Sequence, residues 1–452
     1  MAREMKESSV SWIGNIPTSW EIHRMKSCIE DRTSGAWGDE PTGGDGDIIC
    51  LRIADFDYSK LRFKDCSNGE LTIRNYDKTT IERLKLRKGD ILIEKSGGGE
   101  KTPVGRTVIF DKDYPALYAN FMDRLRCSDF VTSQWMQYLL VVFYKNDYSR
   151  NYIKQTTGIQ NIDLTSMLAN EKVPIPSLLE QNRITSFLDT QCAHIYSVVE
   201  KTRAAIEEYK RLKQSVITQA VTKGIRPNRE MKDSGIEWIG EIPREWRMTK
   251  IKVGVSKVGS GKTPSGGAEV YADEGIIFLR SQNIYDTGIV IDSPTFITNE
   301  TDEEMKNTRV QPNDVLLNIT GGSIGRCCIF PNYLKQANVN QHVSIVRVIK
   351  TIILSEFMHL YWISDLGKMS IQLFQTGGNR EGMTADAIKN SPIAIPDLPE
   401  QSEIVAYLDE KTAAIDSLIQ KKEQLITELE AYKKSLIYEY VTGKKEVPVH
   451  AH

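Results

Sequence analysis

The sequence predicts an α+β protein with a pseudo-twofold internal repeat. Two domains, each a mainly β core with a few helices, are separated by two long antiparallel helices forming a coiled coil. Three observations lead there. The chain of 452 residues is written twice in the same order. Each copy begins with short β-type runs punctuated by Gly, Asn, Asp and Pro. Each copy then closes on apolar residues at steps of three and four, sustained for about six heptads. The expected division is 1–176 for the first domain, 177–224 for the first spacer helix, 225–396 for the second domain, 397–443 for the second helix and 444–452 for a tail.

The repeat is explicit in the residues. WIGNIPTSW at 12–20 returns as WIGEIPREW at 238–246, and GDILIEKSGG from Gly89 returns as NDVLLNITGG from Asn313. A Gly-Arg pair follows each, Gly105-Arg106 and Gly325-Arg326, the first copy carrying extra residues around 100–103. VPIPSLLEQNRITSFLD at 173–189 returns as IAIPDLPEQSEIVAYLD from Ile393. Strands are expected at 47–53, 90–94 and 107–110, and again at 275–280, 314–318 and 343–348. A helix is expected late in each domain, at 133–144 and 355–366.

The long helices follow from their own pattern. Pro176 and Pro396 stop the preceding extended segments, and Glu180 and Glu400 suit a helix N-terminus. The predicted seam is Leu188, Ile195, Val199, Ile206 and Val216 in the first helix, with Leu408, Ile415, Ile419, Ile426 and Leu436 in the second. At 1.5 Å per residue each helix is about 65 Å long. The first is slightly basic and the second clearly acidic, which suits mutual pairing.

Composition narrows the class. A net charge of -2 argues against a protein that coats polyanions indiscriminately, yet allows local basic patches. The N-terminus lacks an apolar stretch of secretory type, and the longest apolar run, 138–144, is too short to span a bilayer. Seven scattered cysteines without a CxxC pair read as reduced thiols, which points to the cytoplasm and no membrane.

Catalytic motifs are incomplete. GSGKTP at 259–264 invites a P-loop reading, but the Gly needed five residues before Gly261-Lys262 is Ser256. An amino-methyltransferase tetrad is not formed by Asn390-Ser391-Pro392-Ile393, which lacks the second Pro and the aromatic ring. The six histidines show no metal-ligand spacing. Cys127 and His194 are read as core or helix-seam packing.

The arrangement resembles the specificity subunits of type I restriction-modification enzymes. The doubled W-I-G-x-I-P opening, GKTPS at 261–265 and the doubled I-P-x-L-x-E-Q-x-x-I block at 175–184 and 395–404 carry the resemblance. The first copy departs from GKTPS, having RTSGAWG at 32–38. The resemblance implies two target-recognition domains, each reading half of an interrupted DNA site, with helices that set the gap and dock two methyltransferase subunits. It implies two motor-nuclease subunits as further partners and a non-catalytic role for this chain. No cofactor is then bound here; S-adenosylmethionine, ATP and Mg²⁺ sit on the partner subunits. The alternatives are a coiled-coil scaffold for protein partners and a P-loop-type phosphohydrolase.

Reading duplex DNA requires Arg, Lys, Asn, Gln, Ser or Thr on loops, with glycines that let the backbone approach phosphate. Four loop clusters meet that need. In the first copy they supply Lys95, Ser96, Lys101, Thr102 and Arg106, then Gln155, Thr157, Gln160 and Asn161. In the second they supply Thr320, Ser323 and Arg326, then Gln375, Asn379 and Arg380. Each cluster is also compatible with a plain connecting turn. Lys262, Thr263, Arg280 and Gln341 are additions, as are Asn120, Asn338, Asn340 and His342. Arg52, the counterpart of Arg280, is the candidate for a structural ion pair.

Overall fold

The computed structural model describes residues 3–65, 71–156, 158–334, 336–375 and 382–448. They form two compact units, one of residues 1–203 with 423–452 and one of 204–422. The division falls inside both long helices, because each helix end is packed into a domain core and is not a body of its own.

The first unit contains β1 (Glu21–Arg24), β2 (Ile29–Ser34), β3 (Asp47–Leu51), β4 (Ile73–Asn75), β5 (Ile91–Glu94), β6 (Ser96–Gly97), β7 (Thr107–Ile109), β8 (Ala116–Tyr118) and β9 (Met122–Cys127). Then follow α1 (Ser133–Lys145), β10 (Ile153–Thr156), β11 (Ile159–Ile162), β12 (Lys172–Ile175) and the long helix α2 (Leu178–Lys223). The main sheet runs β2-β9-β5-β7 and continues into two short strands. Its inward residues, among them Ile91, Ile93 and Leu125, are fully buried against α1. A second sheet sets β3 between β8, parallel to it, and β4. Strand β12 pairs with β1 and delivers the chain into α2.

The second unit repeats this plan with β13 (Arg247–Lys250), β14 (Val255–Ser260), β15 (Ile276–Leu279), β16 (Val315–Asn318), β17 (Cys327–Ile329), β18 (Ala337–Val339) and β19 (Val343–Val348). Helices α3 (Ser355–Ile363) and α4 (Asp365–Phe374), strand β20 (Pro392–Ile395) and the long helix α5 (Leu398–Val441) complete it. The sheet order β14-β19-β16-β17 matches that of the first unit. The single helix expected at 355–366 is broken at Ser364. Its hydroxyl accepts from Gly367 N–H at 3.3 Å and caps a new helix.

The W-I-G-x-I-P segments are core elements. Trp12, Ile13, Ile16 and Trp20 are buried in the first unit, Ile242 and Trp246 in the second. The C-terminal end of α5 docks on the first of them. Gly443, in left-handed conformation at φ +72°, leaves no room for a Cβ, which would lie 2.3 Å from Pro17.

The long helices pair antiparallel in each unit. In the first, the Phe187 and Tyr440 rings lie 4.8 Å apart and Arg203 meets Glu430 at 3.1 Å. In the second, Lys213 meets Asp416 at 2.6 Å, and Lys422 sits 5.6 Å from the Tyr209 ring. Leu188, Ile195, Val199, Ile206, Leu408, Ile415 and Leu436 are buried, while Val216, Ile419 and Ile426 are half-buried. Leu212 and Tyr432, which share the apolar rhythm, remain about half exposed and lie off the seam.

The E-Q pair of the repeated block acts as a clamp. Gln181 is fully buried; its amide donates to the carbonyls of Phe130 and Pro176 and accepts from Thr132 N–H, at 2.8–2.9 Å. Gln401 does the same with Ile352, Pro396 and Leu354, at 2.8–3.0 Å. Each glutamine ties the start of a long helix to the loop entering the domain helix. Gln181→Ala strands three backbone groups, one buried and two part-buried, so unfolding free energy should fall by about 2–3 kcal/mol. Urea denaturation of the full chain checks this; a loss within a few tenths would mean water replaces the clamp.

Candidate nucleic-acid interface

In the first unit, register brings three strand ends side by side. Ser34 faces Asp123 across β2 and β9, and Met122 faces Glu94 across β9 and β5. Beyond that edge the chain continues as the 35–38 turn, the 119–121 turn and β6. Strand β6 pairs with β11, Ser96 opposite Asn161 and Gly97 opposite Gln160. Two loop clusters that are separate in sequence, 95–106 and 154–161, therefore form one surface.

Their residues divide by role. Lys101, Thr102, Gln155 and Asn161 are exposed, and Ser96 donates to the Asn161 side chain. Gln160 is buried and accepts from Val104 N–H at 3.4 Å, so it holds the first loop in place. Lys95 meets buried Asp123 at 3.1 Å, and Arg32 meets the same carboxylate at 2.7 Å. Burial alone would raise the Asp123 pKa, but hydrogen bonds from Ser34 and Arg32 and the Lys95 charge outweigh it and hold the carboxyl below its ordinary value. Arg106 is engaged internally: it grips buried Glu94 through two bonds of 2.7 and 2.9 Å, with its guanidinium 3.8 Å from the Tyr58 ring centre. Thr157 lies outside the described residues.

Three apolar side chains stand out on this face. Phe121 is 47% exposed at the tip of the turn whose carbonyl accepts from Lys95 and Ser96 N–H. Ile159 and Trp37 are 52% and 39% exposed. None was singled out as a reader from sequence.

The second unit builds the same edge from other side chains. Ser260 faces Ser344, and Asn318 faces Val343. Gly261 takes the place of Gly35, so the GKTPS and RTSGAWG turns are equivalent despite their different letters. A Cβ at Gly261 would lie 2.0 Å from the Val339 carbonyl oxygen; one at Gly35 would lie 2.4 Å from those of Tyr118 and Ala119. His342 stands where Phe121 stands, directly before the strand. A chain of hydrogen bonds crosses the edge: Thr263 donates to Gln341, whose amide lies 3.1 Å from His342 Nε2, and His342 Nδ1 lies 2.6 Å from Thr320 Oγ1. With Gln341 donating, the neutral imidazole carries its proton on Nδ1 and donates to Thr320.

Lys262 is exposed beside this chain, its N–H held by the Val339 carbonyl at 3.1 Å. The turn after β14 leads into a short 3-10 segment, Gly267–Val270, and not into the α-helix that a P-loop requires. Ser323 accepts from Asn318 at 3.1 Å, and Arg326 stacks 4.7 Å from the Tyr285 ring. Arg52 pairs with Asp55 at 3.2 Å, but at Arg280 the acid is replaced by Asn283. The Arg280 Nε is buried with no hydrogen-bond partner among the described residues. Gln375 caps α4 through its N–H to the Ile371 carbonyl, whereas Asn379 and Arg380 lie outside the described residues.

Among the described residues no helix is long and apolar enough to cross a membrane, and no cluster of three metal-ligating side chains occurs. The six cysteines described are free. Burial pushes the Cys127 thiol up to about 12, a packing role, whereas His194 is exposed on α2 and outside the seam.

The family model for the type I restriction modification DNA specificity domain matches residues 55–208 and 243–428. The type I restriction enzyme MjaVIII specificity subunit of Methanocaldococcus jannaschii is 24% identical over 315 residues, covering 68% of this chain and 70% of its own. The StySPI specificity subunit of Salmonella potsdam is 23% identical over 375 residues, covering 80% and 76%. A chain solved in a study of type I R-M complex assembly and conformational transition superposes with a TM-score of 0.73 at 15% identity, over 95% of this chain and 99% of that one.

Proposed function

Because the chain belongs to the type I restriction modification DNA specificity family, we propose that each unit reads one half of an interrupted duplex-DNA site through the strand-end face described above. The chain is the recognition subunit and supplies no catalytic step. Methylation and cleavage come from partner chains, two methyltransferase and two motor-nuclease subunits, which hold S-adenosylmethionine, ATP and Mg²⁺. The paired helices set the gap between half-sites and dock the methyltransferases, and the assembly works in the cytoplasm.

The carrying observation is one framework with two sets of readers. The same edge recurs in both units, yet it presents Trp37, Asn120 and Phe121 in one and Thr263, Gln341 and His342 in the other. An apolar tip suits a thymine methyl, while hydrogen-bonding side chains suit base edges. Lys101, Lys262 and Arg280 are the candidates for phosphate, which positions the protein without specifying sequence.

The test is a reader exchange. Phe121→His and His342→Phe are each expressed with the methyltransferase subunit, and the methylated motifs are sequenced. Each exchange should alter one half-site, at roughly 1–3 kcal/mol of discrimination per good contact. Motifs that stay unchanged, or halves that change together, would contradict the assignment.

A further inference from the structure

A cavity of about 370 Å³ opens in the first unit where α1 meets the two long helices. Its walls are largely aliphatic, with Val199 among them, and four cations face it: Lys145, Arg203, Lys433 and Lys434. Glu430, the only carboxylate among the lining residues described, is occupied by Arg203 at 3.1 Å. Lys433 is held at the mouth by the Ser59 carbonyl at 3.0 Å. The joint therefore gathers four cations over an apolar floor, against one carboxylate among its described lining residues.

At the corresponding joint of the second unit, hydrogen bonds tie the first long helix to the domain helices. Gln214, the counterpart of Lys434, donates to the Ile363 carbonyl at 2.9 Å, and Asp365 N–H donates to Thr218 at 2.9 Å. Helix α4 begins where the first unit has its opening. The set of cations is not repeated there, since Gln214 stands in place of Lys434.

We propose that this cavity binds a small anion with an apolar body, such as a nucleoside phosphate or a medium-chain carboxylate. The volume lies in the range of small-molecule sites, whose apolar walls with a few placed polar groups are the usual composition. Burial and then the Lys433 charge already depress the Lys145 pKa, so an anion there relieves an existing repulsion. Binding would tie the first domain to both helices and stabilise that unit by mass action.

Calorimetric titration of the full chain with adenosine monophosphate, decanoate and inorganic phosphate tests this. One of the two amphiphiles should saturate a single site about tenfold more tightly than phosphate. Lys145→Gln and Lys434→Gln should each weaken it by about tenfold. Lys434 is exposed, so that variant is expected to fold normally, and Lys213→Gln in the second unit should leave binding unchanged. Preference for the nucleotide or for the decanoate identifies the source of the anion. Absence of saturable binding at millimolar probe, phosphate binding as tightly as both amphiphiles, or indifference to both substitutions would overturn the proposal.

Discussion

Gly261→Val is expected to abolish reading by the second unit while the first half-site is still recognised. The glycine crosses the Val339 and Asn340 carbonyls so closely that a Cβ would lie 2.0 and 2.3 Å from their oxygens. Both obstacles are backbone, so no side-chain rotation relieves the clash and β18 or β14 must move. Overpacking of this kind costs about 1–3 kcal/mol, and more where backbone is displaced. The same movement carries Lys262 and Thr263 away from Gln341, so recognition fails before the unit unfolds. Hydrogen exchange should show lost protection in β14, β18 and β19, with β2, β8 and β9 unchanged. Gly35→Val should produce the mirror result. Wild-type protection and an intact second half-site would refute the close-approach account.

Asp123→Ala should be the most damaging single change in the first unit's proposed reading face. It removes the carboxylate that Arg32, Lys95 and Ser34 share. Removing one partner from a buried ion pair costs about 3–5 kcal/mol, and the lower end applies because both cations keep some solvent contact. The pH dependence has a definite sign. The folded pKa lies below the unfolded one, so this contribution is complete above about pH 4 and disappears as pH falls through the folded value. Urea midpoints measured against pH should converge for wild type and variant in acid and separate above about pH 4. The second unit has Ser344 at this place and is expected to lack that acid limb. Parallel curves for wild type and variant would exclude Asp123 as the titrating group.

Much of the fold is legible because the sequence states it twice. Short β-type runs bounded by turn residues, and heptad patterns, mark strands and helices, and 343–348 and both long helices follow directly from them. The proposed reading surface is legible only in part. Residues 95–106 and 154–161 become neighbours through the pairing of Ser96 with Asn161, a long-range register that no local pattern specifies. Arg106 follows a Gly-rich loop and carries the right charge for phosphate, yet Glu94 one strand away engages it. Phe121 and Trp37 are missed because isolated aromatics usually signal core; only their alignment with His342 and Thr263 reveals a shared position at the strand edge. The rhythm that includes Leu212 and Tyr432 over-counts the seam, since helical spacing does not say which apolar residues find a partner.

The unequal continuity of the two units has a consequence for synthesis. The second is one uninterrupted segment, whereas the first also takes in chain from residue 423 onward. At about 5–20 residues per second, roughly 10–40 s separate translation of residue 203 from that of residue 423. Throughout that interval Leu188, Ile195 and Val199 wait without Leu436, Ile437 and Tyr440, their neighbours in the finished core. The later domain can therefore mature before the earlier one, whose closing helix segment is made after the whole of the second unit. Chains truncated before residue 423 would keep the second unit intact and leave the unfinished first half open to chaperones and proteases.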